Sequence, residues 1–357
     1  MRGAFLVLLL ASATARAQSR APLGLRTQGT LRELFLDVTS ADARSLPAPE
    51  LDVRYTIANV WNEQMTVRAG PSANTQVLDE QADSIAVRWR TPWSRVLGPS
   101  FARVWTAIEG RFTVHWGGYT DRAIEAWHSL TGAFNYRREV NPRNDLHLVF
   151  TEPGRATAFA ISGGSSLAVG DFVLRNQITL AEAARWGVAA RLDLKLPVGK
   201  LTDVGGSGGF DAGAGLLGTF EPTGWLTLHG LLALSAFSEL ACPCGLQPKT
   251  WHFTGEVSAA ASWGQTTFLI EDRALSPLFP GGWSRDPANG DDGLLASGYF
   301  ADFRIHNQIS FAIRRGRFTF WLSEDFTPGS NPRSTLNWAY SSNSPDVVLG
   351  ISFTQPL

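Results

Sequence analysis

Alternation of apolar and polar side chains, repeated along most of the chain, is the feature that most constrains its fold. In residues 185–196, six apolar side chains that include Trp186 and Leu192 share one face, while Arg191 and Asp193 lie on the other. A β-strand turns successive side chains to opposite faces. No apolar run of 18 or more residues follows residue 17, which excludes a transmembrane helix. The sequence therefore predicts strands with one apolar and one polar face.

The same alternation predicts about 12 strands, each near the 9 to 11 residues or more that a membrane-crossing strand needs. These strands are predicted at about 51–61, 83–93, 104–116, 171–180, 185–196, 209–221, 223–238, 249–263, 264–273, 299–314, 316–327 and 345–355. A short hairpin is also predicted at 145–151 and 156–162. If that hairpin enters the membrane, the strand number becomes 14.

Two folds fit this pattern, a soluble β-sandwich and an antiparallel transmembrane β-barrel. Charges recur on the polar face of most strands, and tryptophans mark the strand ends, where a membrane barrel places its interfacial aromatic residues. These tryptophans are Trp61, Trp89, Trp93, Trp116, Trp186, Trp225, Trp251 and Trp263. Both features favour the barrel.

The lengths of the connections point the same way. Short links at 181–184, 221–224, 263–265 and 314–316 alternate with long ones, such as 117–167 and 274–296. Outer-membrane barrels have short periplasmic turns and long external loops. We therefore expect an all-β antiparallel transmembrane barrel with both termini on the periplasmic side.

The N-terminus carries the pattern of an export signal. A positive residue, an apolar core and an A-x-A site predict a signal peptide at 1–17, cleaved after Ala17. Residues 18–50 are mixed in polarity, and we expect them either in the periplasm or folded into the lumen. Residues 51–357 form the predicted barrel, which we expect in the outer membrane of a Gram-negative cell. Phe353 is the expected aromatic signal for the barrel-assembly machinery.

Four segments resemble a known family. They are PLGLRTQ at 22–28, TDRAIEAWHSLTG at 120–132, LDLKLPVGKLTDVGGSGGFDAGAGLL at 192–217 and SEDFTPGSNP at 323–332. The chain is similar from about Pro22 to its C-terminus to the proteobacterial "domain of unknown function 3187" family. That resemblance implies an outer-membrane barrel and supplies no catalytic residues.

Candidate catalytic and metal-binding groups are few. Cys242 and Cys244 flank one proline, and we interpret them as a local disulfide or two loop thiols, because further metal ligands are not evident nearby. His128 and Ser129 are adjacent and lack a G-x-S-x-G elbow, which favours a structural role in a loop. We expect no enzyme activity, no metal and no cofactor.

Charged residues on the polar faces are the main functional clue. Side chains expected to line the lumen are Arg54, Arg88, Arg90, Glu109, Arg111, Arg175, Arg191, Asp193, Lys195, Glu256, Asp302, Arg304 and His306. One interpretation is a network of opposite charges that closes the interior. The other is a polar channel whose charges tune solute selectivity.

The sequence thus supports a porin-like barrel for passive passage or binding of small polar solutes. A plugged structural or surface-interaction barrel is the alternative, and a lipid-modifying enzyme of the outer membrane is a third hypothesis. Lys plus Arg number 31 and Asp plus Glu 32, so nothing in the net charge favours nucleic acid. The expected partners are outer-membrane lipid and lipopolysaccharide, with the assembly machinery during insertion.

Overall fold

The computed structural model describes residues 19–64, 75–131, 143–151, 157–240, 248–278, 306–325 and 347–357. Within them, fifteen strands form one antiparallel sheet. The strands are β1 (Glu50–Gln64), β2 (Thr75–Pro92), β3 (Val104–Trp116), β4 (His147–Thr151), β5 (Phe159–Ser162), β6 (Ser165–Val169), β7 (Phe172–Ala183), β8 (Trp186–Leu196), β9 (Asp211–Thr223), β10 (Leu226–Ala236), β11 (Trp251–Trp263), β12 (Thr266–Leu275), β13 (His306–Arg315), β14 (Phe318–Asp325) and β15 (Val347–Pro356).

Helices are short and lie outside the sheet. The α-helices are α1 (Ser94–Leu97) and α2 (Asp121–Thr131), and 3-10 helices lie at Arg32–Leu34, Pro99–Phe101 and Leu201–Asp203. None of the helices in the described ranges is long and apolar enough to cross a membrane.

Pairing of the first and last strands closes the sheet into a ring. β1 pairs with β15 from Glu50 opposite Pro356 to Asn59 opposite Val347, and it pairs with β2 on its other side. The ring continues through β3 and then β7 to β14, which makes twelve strands. The predicted antiparallel barrel of about 12 strands is confirmed, and each predicted strand overlaps one strand of the ring.

The strands β4, β5 and β6 lie outside the ring. β4 pairs with the first residues of β2 and with β5, while β6 pairs with the last residues of β3. The hairpin predicted at 145–151 and 156–162 therefore exists, but it extends β2 instead of widening the barrel. The 14-strand alternative is wrong, because β2 and β3 pair directly with each other from Gln81 opposite Trp116 to Pro92 opposite Trp105.

The two ends of the barrel differ in their connections. At one end, which we call the turn end, residues 184–185, 224–225, 264–265 and 316–317 join neighbouring strands, and the longer segment 93–103 joins β2 to β3. At the other, which we call the loop end, the connections include 117–171 and 276–305. β1 begins and β15 finishes at the turn end, so both lie on the side of the short turns, as the strand parity predicts.

The two faces of the wall differ sharply in polarity. Burial alternates residue by residue along β8 and β11, with charged or small side chains inside and apolar ones outside. Outward side chains such as Leu216, Leu232 and Val257 are more than half exposed. Several of the predicted interfacial tryptophans, including Trp186 and Trp263, are exposed at the turn end. An apolar outer surface of this extent is typical of contact with lipid.

A charge on the outer face tests this orientation. Leu232 lies near the middle of β10 between the apolar Leu216 and Gly255. We expect Leu232→Arg to destabilise the barrel in lipid vesicles by about 2–4 kcal/mol, because the guanidinium must enter hydrocarbon. Urea titration of vesicle-folded protein measures the change. The control Leu232→Phe keeps an apolar contact and should cost less than about 1 kcal/mol; equal effects of both variants would contradict the assignment.

Candidate functional site

The interior of the ring is filled by residues 19–49, which we call the plug. Arg20 donates a hydrogen bond to the β9–β10 turn, at the turn end. The plug then reaches the loop end, where the Ser207 N–H donates to the Leu34 carbonyl at 3.2 Å. It returns to the turn end, where the Ser45 N–H and hydroxyl both donate to the Glu182 carboxylate, near the end of β7. The plug is therefore a folded-back segment, and its residues 22–41 are all buried.

Part of the plug packs through an apolar cluster. Leu31, Leu34 and Phe35 are almost fully buried. Inward apolar residues of β9 and β10 contact this cluster, and the rings of Phe35 and Phe237 lie 5.0 Å apart. Burial of this apolar surface favours the closed arrangement.

Arginines of the wall bind the backbone of the plug. The plug has no strand partner, so its buried carbonyls need other donors. Arg273 donates to the carbonyls of Leu25 and Val38, each at 2.8 Å. Arg175 donates to the Asp37 carbonyl at 3.1 Å. The inward arginines therefore replace the hydrogen bonds that a neighbouring strand would provide.

Carboxylates of the wall accept the N–H groups of the plug. Glu271 accepts from the N–H groups of Leu23 and Gly24 at 3.0 and 3.3 Å. Asp211 accepts from the Leu36 N–H at 2.9 Å. Both signs of wall charge thus contribute to holding the plug.

Ion pairs join charged plug side chains to the wall. Asp37 pairs with Arg273 through both carboxylate oxygens, and Glu33 pairs with Arg111. Burial alone would raise the pKa of the Asp37 carboxyl, but Arg273 and a backbone N–H hold that pKa below its usual value. The Asp37 carboxylate therefore stays ionised inside the barrel.

The wall also pairs charges across its own strands. Strand register places Arg88 opposite Glu109 and Arg175 opposite Asp193. Glu109 lies 2.6 Å from Arg88 and 3.3 Å from Arg175, and Asp193 lies 2.7 Å from Arg191. These contacts form one network across β2, β3, β7 and β8.

A second wall cluster lies at the loop end. Lys195 donates to Asp171 and to Ser207, each at 2.6 Å, and it lies 3.4 Å from Asp211. Because the loop residue Ser207 also contacts the plug, this cluster links the wall, the β8–β9 loop and the plug.

The predicted lumen candidates that the structure describes all lie on the inner face. Arg54 and Arg90 are partly buried. The buried candidates are Arg88, Glu109, Arg111, Arg175, Arg191, Asp193, Lys195, Glu256 and His306. Asp302 and Arg304 lie outside the described residues, as do Cys242, Cys244 and the expected cleavage site after Ala17. Whether these side chains line a solute path stays a prediction.

Several residues of the charged interior were missed in the sequence. Arg273 was overlooked although it continues the alternation set by Glu271 two residues earlier. Glu80 pairs with His115 and accepts a hydrogen bond from Thr30 at 2.6 Å, but the predicted β2 began only at residue 83. A longer second strand would have revealed Glu80, whereas no periodic pattern identifies the plug.

The described residues can be compared with the candidate metal-binding and catalytic groups. They contain no group of three or more potential metal ligands. Ser129 lies exposed on α2, and the side chain of His128 is outside the described set.

Space inside the described part of the barrel is small. One cavity beside Phe237 leaves about 10 Å³ for the centres of water molecules. Another, between the plug and β1–β3, leaves about 30 Å³. These volumes hold about one and two waters.

The chain matches a protein-family model over most of its length. The model described as "Protein of unknown function (DUF3187)" matches residues 3–271. The chain belongs to this family. The match covers three of the four segments that carried the resemblance, while SEDFTPGSNP at 323–332 lies beyond it. No curated protein matches the chain.

Solved structures with a similar shape are distant in sequence. The COG4313 outer membrane channel from Pseudomonas putida F1 is 11% identical, with 90% of this chain and 100% of that chain covered and a TM-score of 0.49. The CymD monoaromatic hydrocarbon channel is 10% identical, with 95% and 94% covered and a TM-score of 0.40. A Pseudomonas aeruginosa FadL homologue is 9% identical, with 92% of each chain covered and a TM-score of 0.37. Function must be argued from the residues of this chain.

Removing one charge tests how firmly the plug is held. We expect Asp37→Asn to lower the free energy of unfolding by up to about 3–5 kcal/mol, because the buried Arg273 would lose its nearest carboxylate and keep only Glu256, at 3.7 Å. Urea titration of the folded barrel measures this loss. The control Asp42→Asn breaks a pair with Arg44 in which each side chain is about a quarter exposed, and it should cost less than about 1 kcal/mol.

The pH dependence of the free energy of unfolding tests the role of the Asp37 carboxylate. Because the folded pKa of Asp37 is depressed, its stabilisation is complete above the ordinary aspartate pKa and declines as the pH falls through the lowered value. Asp37→Asn should therefore flatten the loss of stability in acid. An unchanged acid profile would contradict the role given to this carboxylate.

Proposed function

We propose that this protein is an outer-membrane barrel whose lumen forms a gated passage for small polar solutes, closed in the described arrangement by the plug. The membrane location is supported by the apolar outer face and by the exposed tryptophans at the turn end. The short connections at one end and the long ones at the other agree with periplasmic turns and external loops.

One observation carries the passage: within the described residues, the plug is one segment that precedes the wall and contributes no strand to it. If the plug leaves, the twelve-strand ring keeps all of its strand pairings. The inner face would then present charged and polar side chains to water instead of an apolar surface. A hydrated polar lumen is the ordinary interior of a porin.

The composition of the wall favours this function over a purely structural barrel. Buried ion pairs contribute little net stability compared with well-packed apolar residues of similar volume. A barrel built only to be sealed would gain more from an apolar interior than from the paired Arg175 and Asp193 or the paired Arg88 and Glu109. We interpret the charges as the lining of the open state.

The size of the ring limits the solutes. A barrel of eight strands has an interior just wide enough for side chains, and barrels of 16 to 18 strands enclose wide aqueous channels. Twelve strands lie between these cases. The lumen without its plug therefore suits small solutes.

Deletion of the plug tests the proposal directly. We expect a variant lacking residues 20–47 to conduct ions steadily in a planar bilayer, at a level at least about tenfold above that of the full chain, because the lumen fills with water. Heat-modifiable migration on a gel establishes that the variant is folded. A folded variant that never conducts would sink the passage and favour the plugged structural barrel.

A reversible disulfide between the plug and the wall tests gating in a chain that keeps its plug. A Cβ added at Gly213 would lie 2.5 Å from the Val38 Cγ2, so the Cβ atoms of cysteines at these positions would be at most about 4 Å apart, close enough for a disulfide. In a background with Cys242→Ser and Cys244→Ser, we expect oxidised Val38→Cys/Gly213→Cys to be silent under voltage. Reduction should restore the openings of the full chain, and openings that persist in fully cross-linked protein would contradict gating by the plug.

A further inference from the structure

The larger interior cavity lies where the plug meets β1, β2 and β3. Four arginines and two carboxylates are among the residues around it: Arg26, Arg54, Arg88, Arg111, Asp52 and Glu109. Arg26 belongs to the plug, and the other five belong to the wall. The cavity is therefore a place where positive side chains from both parts converge.

The carboxylates around the cavity are already occupied. Asp52 accepts from Arg54 at 2.7 Å. Glu109 accepts from Arg88 at 2.6 Å and lies 3.3 Å from Arg175, which leaves Arg26 at 3.7 Å. Arg111 pairs with Glu33 of the plug, so the four arginines around the cavity meet three carboxylates, and one positive charge is in excess.

Two of the arginines keep donors that nothing in the described residues accepts. The Nε atoms of Arg26 and Arg111 are buried and have no hydrogen-bond partner among those residues. The Arg26 side chain is 8% exposed and that of Arg111 is 4% exposed. Burial and the neighbouring Arg111 lower the pKa of Arg26, although Glu109 and Asp37 act in the opposite direction. Buried donors of this kind are normally satisfied by a ligand or an ordered water.

We propose that this cavity binds one small monovalent anion of the halide class between Arg26 of the plug and Arg54, Arg88 and Arg111 of the wall. The charge selects an anion, since guanidinium groups outnumber carboxylates around the cavity. The size favours a small one, because about 30 Å³ for water centres corresponds to about two waters.

The anion bridges the plug and the wall. A ligand that binds only the closed arrangement stabilises that arrangement by mass action. The bound anion therefore favours the closed barrel, and the closed state becomes more stable as the halide concentration rises. This inference depends on the packed interior and not on conduction, so the two can fail separately.

Bromide provides the direct test, because its anomalous scattering locates it in crystals of the full chain. We expect one anomalous peak among Arg26, Arg54, Arg88 and Arg111. We also follow the temperature at which half of the protein in detergent loses its folded migration on a gel. We expect this midpoint to rise by a few degrees when bromide replaces gluconate at constant ionic strength.

A matched pair of plug variants separates this site from general salt effects. Arg26→Met should lose the peak, and its midpoint should no longer depend on bromide. Arg20→Met removes a plug arginine that pairs with Glu221, far along the plug from the cavity, and should keep both responses. Absence of the peak in the unmodified protein overturns the proposal, as does an equal bromide response in both variants. If Arg26→Met fails to fold, the anomalous map of the unmodified protein decides alone.

Discussion

The hydrogen-bonded pairing of β1 with β15 is the interaction on which the rest of the structure depends. It joins the first and last strands over the length from Glu50 to Asn59 and leaves the ring without a free edge. Once the ring is closed, alternation assigns every side chain of a strand to one of two faces. A register slip of one residue would move the charges of that strand to the outer face and its apolar residues inside.

Closure brings many charged side chains into a small volume, and the plug and the wall satisfy one another there. The plug contributes carbonyl and N–H groups that lack strand partners, and the wall contributes arginines and carboxylates that can bind them. Asp37 shows both kinds of contact, because its carboxylate pairs with Arg273 and its carbonyl accepts from Arg175. The interior is thus stable as a pair of complementary parts.

The alternation in the sequence predicts the strands of the ring, but it does not predict the plug that fills the ring. Strands such as β8 were predictable because a period of two residues is a local property, and the same period placed Arg191 and Asp193 on the inner face. The plug has mixed polarity and almost no regular structure, so no period marks it. Its main contacts are distant along the chain: Asp37 and Arg273 are 236 positions apart. A local pattern cannot indicate which of many inward arginines such a carboxylate will meet.

The folded-back course of the plug has a topological consequence. Both of its ends lie at the turn end, and the chain passes directly from the second end into β1. A segment with this course can enter or leave a closed ring as a loop, without a free terminus being threaded through the barrel. The chain stays unknotted in both situations, as folded chains almost always are. Exchange of the plug therefore requires no rupture of the seam between β1 and β15.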